Sequence, residues 1–124
     1  MSNGQLLNVH ELQTVRAKIV TIKSGAVTAG GNTQSTPIRV SQFKEANFFL
    51  DLTAKTGTLT FNISVFTKDP VSGKWFLVVA FTQVSDVATE MKPIAANLGE
   101  YIACVWTIGA ATAVTFSLSA VLKV

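Results

Sequence analysis

Cysteine, histidine and charge are all scarce in this 124-residue chain: it has one Cys, one His, and only 14% Asp, Glu, Lys and Arg. A single cysteine, Cys104, excludes an intrachain disulfide and with it the covalent stapling of small secreted domains, which fits cytosolic synthesis. Cys104 lies in the apolar run Tyr101 to Trp106, where a thiol acts as a small buried hydrophobe rather than as a nucleophile. The lone His10, beside Glu11, leaves no second imidazole for acid–base or metal chemistry. No run of about 18 apolar residues occurs, because residues such as Thr82, Gln83 and Glu100 break every stretch, so no transmembrane helix and no membrane partner are expected. The start of the chain lacks a basic segment followed by an apolar one, and a secretory leader is not expected. The ten Lys and Arg give a net charge of +3 but are scattered singly, so nucleic acid is not an expected partner either.

What the chain has is period-two alternation. From Thr58 to Lys68, Leu59, Phe61, Ile63 and Val65 point one way and Thr58, Thr60, Asn62 and Ser64 the other, the pattern of a strand with one wet face. Val114, Phe116, Leu118, Ala120 and Leu122 repeat it near the end, and Phe48, Leu50 and Leu52 repeat it between Ala46 and Leu52. A first strand is expected from Val15 to Ile22, and the glycine-rich segment from Gly25 to Pro37 reads as a long loop or irregular hairpin with Ala26-Val27-Thr28-Ala29 as a short edge strand inside it. Asp69-Pro70-Val71-Ser72-Gly73 reverses the chain into a hairpin. Trp75 to Thr82 then returns, apolar on both faces, as a central strand or one covered by a partner. Gln83 to Glu90 reads as loop, a short strand surrounds Pro93, and Gly109 to Thr112 makes a last hairpin before the closing strand.

The fold class expected is therefore all-β, an antiparallel β-sandwich or jelly roll of about seven or eight strands. Residues 1–14 form an extended N-terminal arm, and 15–124 form a single sandwich domain. The low charge and high mean hydropathy imply that part of the apolar surface meets another subunit.

Chemistry-bearing residues are few. Asp51, Asp69, Asp86 and Glu90 have the oxygen ligands calcium takes, but their spacing forms no acidic loop, and Asp69 before Pro70 is placed to cap a turn. Gly30-Gly31 lacks the Lys-Ser/Thr of a phosphate loop and opens no helix. Trp75, Trp106 and Tyr101 have the aromatic faces that stack on sugars, although their mid-strand positions favour packing. No catalytic residue, metal site or cofactor is expected, and the chain does not read as an enzyme.

Several stretches do resemble a known group: Phe43-Lys44-Glu45-Ala46-Asn47-Phe48-Phe49-Leu50-Asp51-Leu52-Thr53, Thr67-Lys68-Asp69-Pro70-Val71-Ser72-Gly73-Lys74-Trp75, Val105-Trp106-Thr107-Ile108, and Phe116 to Lys123. They are similar to small structural proteins of tailed bacteriophages, over roughly two-thirds of the chain from about Ile38 to Val124; the first 36 residues fall outside. The resemblance implies a virion protein made in the host cytoplasm, a capsid decoration (cement) protein seated on the major capsid protein or another virion protein as a homo-oligomer, with a trimer favoured. The alternative function is a carbohydrate- or receptor-binding sandwich of a head or tail fibre. Three contact zones are expected: the arm with Leu6, Leu7, Val9 and Leu12, the loop from Ala26 to Thr36 with Val27 and Asn32, and the second face of the Trp75 strand with Phe76 and Val78.

Overall fold

Alternating strands that each carry one apolar face must bury those faces against one another, and in the computed structural model they do so as two stacked antiparallel sheets. The structure describes residues 17–95, 98–110 and 113–124. Nine strands follow in order: β1 Ala17–Val27, β2 Gly31–Asn32, β3 Ile38–Arg39, β4 Glu45–Thr56, β5 Thr60–Lys68, β6 Trp75–Ala80, β7 Ala88–Ile94, β8 Tyr101–Gly109 and β9 Ala113–Lys123. The first sheet has the order β1-β9-β4-β7 and the second β2-β8-β5-β6, with β3 also pairing β8. The all-β sandwich read from the sequence is the observed fold, with nine strands in place of seven or eight. Residues 1–14, expected to form the arm, lie outside the described residues.

The expected inward faces are the buried ones. Leu59, Phe61, Ile63 and Val65 meet Val114, Phe116, Leu118, Ala120 and Leu122 across the sandwich, with Phe48, Leu50 and Leu52 beside them. The Phe116 ring is the centre of this contact, 5.0 Å from Phe61 and 5.7 Å from Trp106, in tilted and edge-on arrangements that suit aromatic quadrupoles. Among the described residues no polar or charged side chain is buried.

Three expectations are corrected. The segment from Gly25 to Pro37 is not simply loop: β1 continues through Val27, and Gly31–Asn32 pairs with Val105 and Trp106 of β8. A side chain at Gly31 would lie 2.8 Å from Trp106 Cζ2, so glycine is what lets this strand lie against the indole, whose Nε1–H donates to the Ala29 carbonyl at 3.0 Å. Thr33 ties the same segment to β8 reciprocally: its N–H donates to the Cys104 carbonyl and its Oγ1 accepts from the Cys104 N–H, both at 3.0 Å. Second, of the two readings of β6 the central one is overturned, since among the described residues it is an edge strand paired only with β5, and β7 begins inside the segment expected to be loop. Third, the Gly109 to Thr112 connection is no hairpin, because β8 and β9 belong to different sheets. Of the described connections, β5 to β6 alone joins hydrogen-bonded neighbours, and its turn is built as expected: Asp69 Oδ1 accepts from Val71 N–H at 3.0 Å, Oδ2 accepts from Ser72 Oγ–H at 2.7 Å, and Gly73 takes a φ of 74°.

Candidate functional site

Two surfaces of the sandwich stand out because strand register collects apolar side chains on them. On the second sheet, Tyr101 of β8 follows the Ile102–Thr67 pair that ends the β8–β5 ladder, Lys68 of β5 pairs with Trp75 of β6, and one row further Ala103 pairs with Phe66 and Phe66 with Leu77. Leu77 is 59% exposed, while Trp75, Phe66 and Tyr101 are half-buried. Lys68 Nζ sits 5.9 Å from the Trp75 ring centroid, a cation–π distance that lays the lysine stem along the indole. The result is an outward aromatic patch, with Arg39 at its rim paired to Glu100 at 3.8 Å. At the β8 edge of the same sheet, β2 and Thr33 anchor the segment between Val27 and Ile38.

On the first sheet, Ile19, Val121, Asn47 and Pro93 form one outward row, and Thr21, Ser119, Phe49 and Met91 the next. Ile19 is 79% exposed, Met91 51% and Phe49 40%. The third row, Ser24, Ser117, Asp51 and Thr89, carries one charge, and the fourth continues with Ala26, Thr115 and Ala54. A shallow hollow of about 370 Å³ opens beside Phe49, Asp51, Thr89 and Met91.

A further hollow, of about 360 Å³, is formed by residues 82–90 between β6 and β7. Its carboxylates are Asp86 and Glu90. Both Glu90 oxygens are occupied, accepting from the Thr82 N–H and Oγ1–H at 2.8 Å each, with Lys92 Nζ at 3.8 Å. Desolvation opposes ionisation of Glu90, but the two Thr82 hydrogen bonds and Lys92 outweigh it and hold the carboxyl below its usual value. Asp86 Oδ1 accepts from the Val87 N–H at 2.7 Å. These carboxylates thus brace a loop. Asp51 lies on the outer face of the first sheet and Asp69 in the β5–β6 turn, so the four acids considered from sequence are not brought to one site; among the described residues no group of three His, Cys, Asp or Glu side chains is. Cys104 is buried, and desolvation raises its thiol to about 11, which leaves it inert as a nucleophile at neutral pH.

The contact residues expected from sequence divide. Leu6, Leu7, Val9 and Leu12 lie outside the described residues. Asn32 is exposed on β2, where its Oδ1 accepts from the Gln34 N–H at 3.0 Å, and Phe76 is 54% exposed on β6. Val27 and Val78 are half-buried and pack against the core. Val78 is turned inward by a bulge: Val65 pairs with Val79 but Phe66 pairs with Leu77, so Val78 has no partner of its own. Sequence reasoning missed Phe66, Leu77 and the Ile19–Phe49–Met91 face. The alternation around Phe49 and Phe66 carried that signal, but the intact alternation assumed across β6 put Leu77 with the core.

No family model matches the chain, and no curated protein does. Solved structures do. The SPBc2 prophage-derived protein YomS aligns over 87% of this chain and 93% of its own with a TM-score of 0.55 at 10% identity. The PBSX exported protein XepA aligns over 86% of this chain with a TM-score of 0.60 at 8% identity, and the chain spans 37% of that protein. The protein of T=1 particles derived from infectious bursal virus aligns over 87% of this chain with a TM-score of 0.52 at 10% identity, the chain spanning 31% of it. At such identities the likeness establishes the shared sandwich fold, found here in both prophage-derived and viral particle proteins.

Proposed function

We propose that this protein is a structural virion component, a decoration or cement protein that stabilises a phage head lattice by burying surface against it. The observation that carries the reading is the outward patch of Phe66, Trp75, Leu77 and Tyr101 on the second sheet, with the Thr33-anchored segment at its edge. Aromatic side chains rimmed by an arginine are the usual anchors of protein interfaces, and this group combines them with a rigid backbone that loses little entropy on docking. Asn32 and Thr33 of the expected loop zone flank the patch, whereas Ala26 and Val27 belong to β1 of the other sheet and Phe76, in register with Thr67, faces the opposite side of β6 from Trp75 and Leu77. The arm of residues 1–14, through Leu6 to Leu12, hooks an adjacent subunit. Each contact is modest, and repetition over a symmetric shell raises the total through effective concentration. The proposed home of the protein is the virion, and the proposed partner is the major capsid protein or another virion protein.

Cosedimentation of the purified protein with heads assembled in its absence tests this. Saturable binding, weakened at least tenfold by Trp75→Ala, and heads that retain DNA to higher temperature when decorated are the expected results. Heads that neither bind the protein nor gain resistance would overturn it.

A second reading has one specific observation in its favour. Tyr101 and Trp75 share an outward row two strands apart, about 10 Å, a spacing compatible with stacking on separate rings of a glycan. A glycan-array signal abolished by Trp75→Ala or Tyr101→Ala, without head binding, would favour a carbohydrate- or receptor-binding module.

A further inference from the structure

We infer that the outer face of the first sheet is a self-association surface, on which a second copy of this chain docks face to face about a two-fold axis. The inference is independent of what the aromatic patch binds. It begins with the edges, where sandwiches otherwise associate. β1, the longest edge strand among the described residues, is bulged between Thr21 and Lys23 and turns two lysines to the inner side: Lys18 is in register with buried Leu122, and Lys23 with buried Leu118, its Nζ 5.3 Å from the Trp106 ring centroid. β7 carries Pro93, which has no N–H to offer; β6 is bulged at Val78; β2 and β3 have two residues each. Bulges, inward lysines, an edge proline and short strands are the devices that stop sheets from adding strands. Association is thereby directed away from the edges.

The face itself is built for contact. Four of its rows hold Ile19, Val121, Phe49, Met91 and Pro93 among small Ser, Thr and Ala side chains with Asp51 as their one charge, and the row at the Ala17 end carries Glu45 and Lys123, opposite charges in register with each other. Short side chains lose little rotamer entropy and let two sheets approach to the usual stacking distance of about 10 Å. Four strands at about 4.8 Å spacing and about 3.3 Å per residue give roughly 600 Å² of projected surface. That is the scale of the about 800 Å² each partner contributes to a standard interface. The face is also self-complementary. Ile19 projects from the β1 edge, and the 370 Å³ hollow lies at the opposite edge between β4 and β7. A two-fold axis in the plane of contact and along the strands carries β1 of each copy over β4 and β7 of the other, bringing each Ile19 over the partner's Pro93, one row from the hollow beside Met91. One face of this kind makes an isologous pair; the trimer expected from the resemblance needs two different complementary patches.

The test is the absolute mass of the full chain by light scattering after size exclusion, from micromolar to near-millimolar concentration, for wild type, Ile19→Lys, Met91→Lys and Leu77→Lys. The first two substitute exposed positions of this face on opposite edge strands; the third alters the other sheet and serves as control. Cooperative thermal melting of each variant shows that it is folded. The expected result is a dimeric wild type and Leu77→Lys, with Ile19→Lys and Met91→Lys weakening the dimer at least a hundredfold, to the mass of a monomer. A wild type that is monomeric throughout or trimeric, or a dimer that survives both lysines on this face, would overturn the inference.

Discussion

At the scale of single residues the fold rests on a few inward positions. Phe61 is fully buried against Phe116, so Phe61→Ala removes a ring from a close-packed contact and should cost about 3 to 5 kcal/mol in denaturant unfolding. A loss below about 1 kcal/mol would mean that the buried face is misassigned. Gly99 is constrained twice: its φ is +78°, and a Cβ there would collide with the Thr67 hydroxyl, which itself donates to the Tyr101 carbonyl at 2.9 Å. Gly99→Ala should destabilise the chain by more than about 1 kcal/mol, while the same change at Gly25, where a Cβ meets nothing, bears only the backbone strain. Cys104 sets an alkaline limit. Burial raises its pKa to about 11 from an ordinary value of 9.0, so the folded state binds a proton that the unfolded state releases between those values. Stability from this group is fully present below pH 9, falls as pH rises from there to about 11, and levels beyond. Cys104→Ala should therefore flatten that part of the stability–pH profile; an unchanged slope would show that the thiol is not the group responsible.

At the scale of elements the sequence was informative where a strand has one wet face and silent where geometry breaks the alternation. The inward sets of β4, β5 and β9 were legible because each is an uninterrupted period of two. The layer that a returning strand joins was not, since turn residues encode reversal of the chain and not its destination; hence β8 and β9 read as a hairpin although they lie in opposite sheets. The bulge in β6 was equally hidden: nothing in the apolar run Trp75 to Ala80 marks Val78 as the unpaired residue, yet it alone turns Leu77 outward and Val79 inward. That gives a prediction for the strand. Leu77→Ala should change stability by less than about 1 kcal/mol, whereas Val79→Ala should cost about 1 to 3 kcal/mol; equal effects would contradict the bulged register. In the segment after β1 the pairing of Gly31–Asn32 with β8 was hidden because its glycines looked like a loop signal, whereas Gly31 serves the close approach to Trp106. For the arm, deletion of residues 1–14 should leave the melting transition cooperative and abolish attachment to heads, and unchanged attachment would remove the arm from the mechanism.

For the whole molecule, the proposed lattice-stabilising role and the inferred self-association assign one surface to each sheet. Under the proposed function and the inferred self-association, the aromatic patch of the second sheet meets a different protein and the outer face of the first sheet meets a copy of itself, while the edges between them are blunted. That division would account for the low overall charge of the chain. The candidate site was only partly legible in the sequence for the same reason: interface residues obey the alternation of ordinary strands, and without a reactive cluster only the register of neighbouring strands reveals which of them gather on one face. Likeness of fold to prophage-derived and viral particle proteins is compatible with this role but leaves it to direct observation. The most direct measurement is electron cryo-microscopy of phage heads assembled without the protein and then incubated with it. The account predicts added density at every symmetry-equivalent position of the head lattice, with the Trp75 and Tyr101 face turned toward the capsid. Density confined to the tail or fibres, or a lattice left bare, would contradict it.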